Sequence, residues 1–125
     1  MYNVNSNPIH NNKSTIYIAT SDGDFIDENL NQYAVYEKPK KYRFNVQTIT
    51  SDSEIREFGE IVNQMKVISI TEKAKYINKF HEFDRVYIDN KPNNEFENGY
   101  NADYYIYSVR NQNTSIRIFI KKLVK

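Results

Sequence analysis

The sequence predicts a mainly β protein: a small antiparallel β-barrel or sandwich with one short helix and a flexible N-terminal arm. The chain has 125 residues, which suits one domain, since domains cluster near ~100–150 residues. It carries 11 Tyr and 7 Phe but no Trp, and aromatic and β-branched residues favour the half-buried surface of a sheet. Short alternating segments separated by turns indicate strands, and the period changes to a helical one over residues 51–65. We therefore expect an arm at 1–14 and one barrel domain at 15–125.

The first residues are polar and rich in Asn, and they show no hydrophobic period. Segments of this kind have little to bury and order only against a partner. The apolar side chains that such an arm would offer include Tyr2, Val4 and Ile9. The first predicted strand follows at 15–20.

The next stretch alternates turn-forming and apolar residues. Asp and Gly at 21–24 predict a turn, and a strand is expected at 32–37. The clearest strand covers 40–50, where Tyr42, Phe44 and Val46 face one way and polar residues face the other. This period of two indicates a sheet with one wet face.

The insertion at 51–65 has apolar residues at helical spacing. Ser51 and Glu54 match a capping box at its start. Gly59 lies inside the pattern, and a glycine costs a helix interior about 1 kcal/mol relative to Ala. We expect either one helix of two or three turns or a helix that breaks into a loop at Gly59.

The second half of the chain returns to strand character. A single helical turn is expected at 72–79, and Ile116, Ile118 and Ile120 are expected on one face of the last strand. The predicted strands are 66–71, 85–89, 102–110 and 115–123, with a turn-rich loop at 90–101 and a hairpin connection at 111–113.

Composition excludes several function classes. Basic and acidic residues number 17 and 16, for a net charge of +1, which excludes a strongly basic nucleic-acid binder. The chain has no Cys, so disulfides, thiolate catalysis and thiolate zinc sites are excluded. No apolar run approaches the ~18 residues of a membrane span, and the first residues lack the apolar core of a signal peptide. We expect a soluble protein that does not act at a membrane.

Catalytic and metal-binding patterns are weak. The histidines, His10 and His81, accompany no nucleophile motif. The acidic stretch at 22–28 resembles a calcium loop, but Ile26 occupies a ligand position and Asp27 the position of the required Gly. We therefore predict an acidic turn and no catalytic residue, metal or cofactor.

The carboxylates Glu54, Glu57 and Glu60 recur every three residues and would share one side of a helix. Such spacing can serve acid–base chemistry, but a solvated face or a contact with a basic neighbour is the favoured interpretation. The protein is therefore not expected to be an enzyme.

The best case for nucleic-acid binding is the basic and aromatic segment 36–44. Oligonucleotide-binding barrels hold single strands with rings beside cations. Tyr42 and Phe44, however, lie on the face opposite Lys41 and Arg43. Lys and Pro here also suit a sheet edge protected from pairing, which is the favoured interpretation.

Several stretches together give the chain a family resemblance. The order is a Tyr-x-x-Pro strand, an Asn-Val strand, a Glu-Phe-Gly element and an Ala-Asp-Tyr hairpin. It resembles the head-closure or stopper proteins, small head–tail connectors of tailed bacteriophages with Gram-positive hosts. The stretches, which span most of 15–123, are Tyr36–Pro39, Phe44–Gln47, Ser53–Gly59, Phe83–Ile88 and Ala102–Asn113.

The resemblance implies a small β-barrel that works as a homo-oligomeric ring in the virion neck. The expected partners are portal and adaptor proteins above the ring and tail-completion or tail-tube proteins below it, with the packaged DNA in the channel as a further expected contact. Such a ring closes the channel and receives the tail. A tail-completion or tail-terminator protein and an oligonucleotide-binding barrel remain alternatives.

The residues expected at interfaces come from two segments. The insertion at 51–65 is expected to contact a neighbouring subunit or the connector, and the arm to cross a subunit boundary. The loop at 90–101 is expected to project toward the channel or the tail, and a plain surface role is the alternative for all three. The candidate interface residues are Glu54, Arg56, Glu57, Phe58, Glu60, Tyr2, Val4 and Ile9.

Overall fold

The computed structural model describes residues 13–26, 28–30, 32–92 and 101–123. Most of the predicted arm and of the 90–101 loop lies outside the described residues. The elements in chain order are β1 (Ser14–Ala19), β2 (Ser21–Ile26), β3 (Gln32–Tyr36), β4 (Lys40–Gln47), α1 (Asp52–Phe58), a 3-10 helix (Gly59–Gln64), β5 (Met65–Ile70), α2 (Lys73–Tyr76), β6 (Arg85–Tyr87), β7 (Tyr104–Asn111) and β8 (Ile116–Lys122).

Six strands form a closed barrel in the order β1-β4-β5-β8-β7-β6, and β6 pairs back onto β1. All neighbouring pairs are antiparallel. Strands β2 and β3 form a separate two-stranded hairpin between the first two barrel strands in the chain. The predicted fold class is confirmed, and of the two architectures left open the chain adopts the barrel.

The barrel interior is filled by β-branched residues and capped by rings. Ile116, Ile118 and Ile120, predicted on one face of β8, are all buried. At one end of the barrel, Tyr42 packs edge-on against Phe80 with ring centres 5.3 Å apart. Further rings from β4 and the α2 segment join them, so the short helical turn serves as part of the core.

A second cluster lies on the outer side of the barrel. Phe119 is fully buried although its neighbours on β8 point inward. It packs with Met65 and Val67 beneath α1 and the 3-10 helix, and the Phe58 ring lies 5.0 Å from its own. The 51–65 insertion therefore covers β5 and β8 from outside.

Two aspartates close the barrel around its shortest strand, β6. Asp84, which is fully buried, precedes it and accepts hydrogen bonds from the backbone N–H groups of Ser21 and His81, both at 2.9 Å. Asp103 lies beyond its other end and accepts from the N–H groups of Ile88 and Asp89, both at 2.8 Å. Both carboxylates replace ladder hydrogen bonds where the strand is too short to continue them.

Three local predictions were wrong. The segment 36–44 does not form a sheet edge, because β4 pairs with β1 on one side and with β5 on the other. Residues 21–24 form part of strand β2, whose pairing with β3 shifts register between Ser21 and Asp24 and so accommodates the turn-forming residues. The capping box is absent, because the Ser51 hydroxyl lies 3.0 Å from that of Ser53 and does not cap α1. The break at Gly59 is confirmed: its φ is 63° and a 3-10 helix follows α1 there.

Replacing Asp84 with Ala should lower the free energy of unfolding by about 2–5 kcal/mol. The change removes the charged acceptor of two part-buried backbone N–H groups, and a hydrogen bond to a charged group contributes roughly 1.5–3 kcal/mol. Urea denaturation measures the difference. The control is the exposed Asp89, whose replacement by Ala should change stability by less than about 0.5 kcal/mol. Equal losses in the two variants would contradict the closing role of Asp84.

The carboxyl group of Asp84 should also give the stability of the protein an unusual dependence on pH. Burial raises the pKa of Asp84 above its ordinary value of 3.8, against the opposing effect of its backbone hydrogen bonds. The folded state then binds this proton more tightly than the unfolded chain, so this group's contribution to stability falls as pH rises through that range. Asp84→Asn has no such titration, so its destabilisation relative to wild type should shrink from pH 3 toward pH 7. A growing difference, measured by urea denaturation, would contradict the assignment.

Candidate interaction surface

An aromatic face covers the outer side of β7, and we define it as Phe58, Phe83, Tyr105, Tyr107 and Arg110. It forms the floor and walls of a depression of about 450 Å³, which Glu57, Glu82 and Ser108 complete. The ring centres of Phe83 and Tyr105 are 6.1 Å apart, those of Tyr105 and Tyr107 6.4 Å, and those of Tyr107 and Phe58 5.9 Å. The rings therefore form a continuous row from the residues before β6 to the end of α1.

An irregularity in β7 widens this face. Ile106 opposes Ile120 and Ser108 opposes Phe119, so Tyr107 is an extra residue in the ladder. Ile106 and Val109 both pack against the core, three positions apart where a regular strand would give two. A bulge of this kind re-aims side chains, and here it leaves Tyr107 more than one-third exposed beside Tyr105.

Phe83 holds the most unusual position on the face. Its side chain is 64% exposed and its φ is 73°, in the left-handed region, which costs a non-glycine residue roughly 1–2 kcal/mol. The surrounding backbone fixes it: its N–H donates to Ile106 O at 2.8 Å, and its carbonyl accepts from Arg85 at 3.1 Å and from the Tyr36 hydroxyl at 3.3 Å. Such strained conformations cluster at functional sites.

Two ion pairs attach α1 beside the face. Arg117 on β8 binds both carboxylate oxygens of Glu54, with the shortest contact 2.8 Å. Arg110 on β7 pairs with Glu57, and its guanidinium lies 5.3 Å from the centre of the Phe58 ring. The hydrogen bond from Arg110 lowers the pKa of Glu57 below its ordinary value. Since Glu57 is exposed, the pair orients α1 and contributes little to global stability.

The structure divides the residues predicted for the interface. Glu57 and Phe58 lie at the edge of the aromatic face, while Glu54 is held against Arg117 within the chain. Arg56 and Glu60 are exposed on the insertion but do not line the depression. Tyr2, Val4 and Ile9 lie outside the described residues, so their role stays a prediction.

Sequence reasoning missed Phe83, Tyr105 and Tyr107 as surface candidates. The predicted strand at 102–110 is rich in aromatic residues, but its rings were not assigned from the sequence to the inner or the outer face of the barrel. The clue was Ile106 between two tyrosines, because a buried isoleucine places both neighbours on the opposite face. The exposure of Phe83 depends on its backbone conformation, which no sequence pattern indicated.

Other chemistry-bearing groups are scattered. His81 is exposed, and its backbone N–H and carbonyl both form hydrogen bonds with Asp84. Within 13–26, 28–30, 32–92 and 101–123, no three His, Asp or Glu side chains gather as a metal site would require. The same ranges hold no helix with the length and apolarity for a membrane crossing.

Comparisons with known proteins give information on the fold but not on the function. No family model matches the chain, and no curated protein matches it. The solution structure of protein SF1141 from Shigella flexneri 2a is similar, with a TM-score of 0.58 and 15% sequence identity. The match covers 86% of this chain and 89% of that one, so the two proteins share an architecture over most of their length.

Replacing Arg117 with Leu should release α1 from the barrel. The change leaves the partly buried Glu54 carboxylate without its guanidinium, and a hydrogen bond to a charged group contributes roughly 1.5–3 kcal/mol. Hydrogen exchange at the amides of 52–58 should become faster, and the free energy of unfolding should fall by about 1–3 kcal/mol. Arg56→Leu is the control, because Arg56 reaches only the Asp52 carbonyl at 3.4 Å. If the amides of 52–58 exchange equally fast in both variants, the Glu54–Arg117 pair does not anchor α1.

Proposed function

We propose that this protein is a non-enzymatic structural protein of a tailed-phage neck. In this proposal it forms a ring below the portal and adaptor, closes the DNA channel, and joins head to tail in the virion after assembly in the host cytoplasm. Support comes from the resemblance of five segments to head-closure proteins. The barrel architecture is compatible with that resemblance but does not by itself favour it over other small barrels.

The observation that carries a binding role is the aromatic face. Tyr, Phe and Arg are the residues enriched in the centres of protein interfaces and among their energetic hot spots. Here rings and Arg110 line one depression of about 450 Å³, and Phe83 presents its ring to solvent in a strained conformation. Exposed apolar patches of this kind mark interaction sites.

The occupant proposed for the face is a neighbouring copy of this chain. A ring of identical subunits joins two different surfaces of each subunit, one receiving and one inserting. The aromatic face, with its central depression, suits the receiving surface. The arm residues Tyr2, Val4 and Ile9 are the apolar side chains proposed to cross the subunit boundary.

Two rival functions make different predictions. A tail-completion or tail-terminator protein would occupy the next ring and co-purify with free tails, whereas a head-closure protein would co-purify with filled heads that lack tails. An oligonucleotide-binding barrel would bind single-stranded DNA as an isolated monomer, with stacked bases. On β4 the rings of Tyr42 and Phe44 pack against Tyr76 and Phe80, so this strand does not offer them for stacking.

Phe83→Asn should weaken self-association without unfolding the protein. Asn tolerates a positive φ, so the fold is retained while the exposed ring is lost. Sedimentation velocity over a concentration series should show larger species for wild type, with the variant shifted at least tenfold toward the monomer, since hot-spot truncations cost about 2 kcal/mol or more.

The matched control is Leu30→Asn. Leu30 is also apolar, 83% exposed and at positive φ, 65°, but it lies between β2 and β3 and does not line the depression. Equal association of both variants, or a wild type that stays monomeric at every concentration, would refute the interface.

In a phage whose genome carries the gene, its loss should leave filled heads without tails, and wild type but not Phe83→Asn should restore tailed particles.

A further inference from the structure

A second surface, separate from the aromatic face, gathers lysines at the start of β4. Lys38, Lys40 and Lys79 line one depression of about 130 Å³ together with Tyr42 and Glu37. Lys38 precedes β4, Lys40 begins it, and Lys79 follows α2. We name these three residues the lysine corner.

The fold brings these side chains together through the aromatic core. The Tyr42 ring packs against Phe80 and Tyr76, and this places the segment after α2 beside the start of β4. The Lys79 ammonium lies 5.9 Å from the centre of the Tyr42 ring, within the ~6 Å reach of a cation–π contact. The lysine therefore lies along the ring at the wall of the depression.

The charge of the depression is uncompensated. Glu37 is its one lining carboxylate, and that group already accepts a hydrogen bond from the Thr20 hydroxyl at 2.7 Å. Three ammonium groups around one carboxylate leave an excess of positive charge on a chain whose net charge is +1. A depression lined by charges of one sign attracts ligands of the opposite charge.

We propose that the lysine corner binds phosphate groups of a nucleic-acid backbone. Lysine is a compact point charge that suits phosphate, whereas paired recognition of carboxylates favours arginine, and no arginine lines this depression. Lys38 and Lys40 at the start of β4, together with Lys79 from the segment after α2, can contact successive phosphates of one strand. The site is distinct from the interface proposed above and does not depend on it.

The same geometry predicts which nucleic acid is preferred. Tyr42 turns its ring toward Phe80 and Tyr76, so contacts at the corner are electrostatic and do not include base stacking. Backbone contacts of this kind depend on phosphate density, which is higher in a duplex than in a single strand. Duplex DNA should therefore bind at least as tightly as single-stranded DNA of the same length.

The test is fluorescence anisotropy of the full chain with a short labelled duplex, between about 50 and 200 mM salt. The triple variant Lys38→Gln, Lys40→Gln, Lys79→Gln should bind at least about tenfold more weakly at the lower salt. The slope of log affinity against log salt should fall by about 1 for each lysine removed. Circular dichroism should show unchanged melting, because all three side chains are exposed.

The control removes the same charge at the opposite end of the barrel. Lys66, Lys121 and Lys122 lie near the start of β5 and the end of β8, which runs parallel to β4. Their triple replacement by Gln should leave affinity within twofold of wild type. Equal losses in the two triple variants, preference for single strands, a flat salt response, or binding to anionic phospholipid vesicles without binding to DNA would each overturn the proposal.

Discussion

The closure of the barrel depends on two carboxylates that complete a strand of three residues. β6 pairs with β1 at three positions and with β7 at two, too few for a strand to hold both neighbours by its ladder alone. Asp84 and Asp103 supply acceptors to backbone N–H groups just beyond those pairs. A backbone donor that is partly withdrawn from water needs a partner, and these side chains provide one at both ends of β6. Without them the sheet would retain two long edges.

The position of the aromatic face follows from this closure. The Asp84 carbonyl accepts from Ile106 N–H, and Phe83 N–H donates to Ile106 O, both at 2.8 Å. These bonds hold the residues before β6 against β7 and force Phe83 into its left-handed conformation. The ring of Phe83 then lies over Tyr105. The same backbone hydrogen bonds thus close the barrel and position the rings on its surface.

Elements with a clear local period could be predicted from sequence, and elements decided by distant partners could not. The predictions of β4 and β8 as strands are correct because Phe44 and the isoleucines of β8 alternate with polar residues. The burial of Phe119 could not be predicted, because this residue lies on the outer side of β8 and is covered by an insertion that precedes it by more than fifty residues. Glu54 was read as a cap, yet Arg117, 63 positions away, binds it instead. At β2, pairing with β3 overrode the turn preference of Asp and Gly.

The backbone conformation at Gly59 determines which configuration, L or D, a residue at this position should have. Its φ of 63° disfavours a natural L residue and suits the mirror-image D residue, although an L side-chain carbon placed there would meet no atom within 4 Å. The obstacle to a substituent at this junction is handedness, since space is available. A D-alanine incorporated by chemical synthesis would favour this positive φ and should restrict the unfolded chain. This junction could therefore be made more rigid by introducing one stereocentre of D configuration where glycine has none.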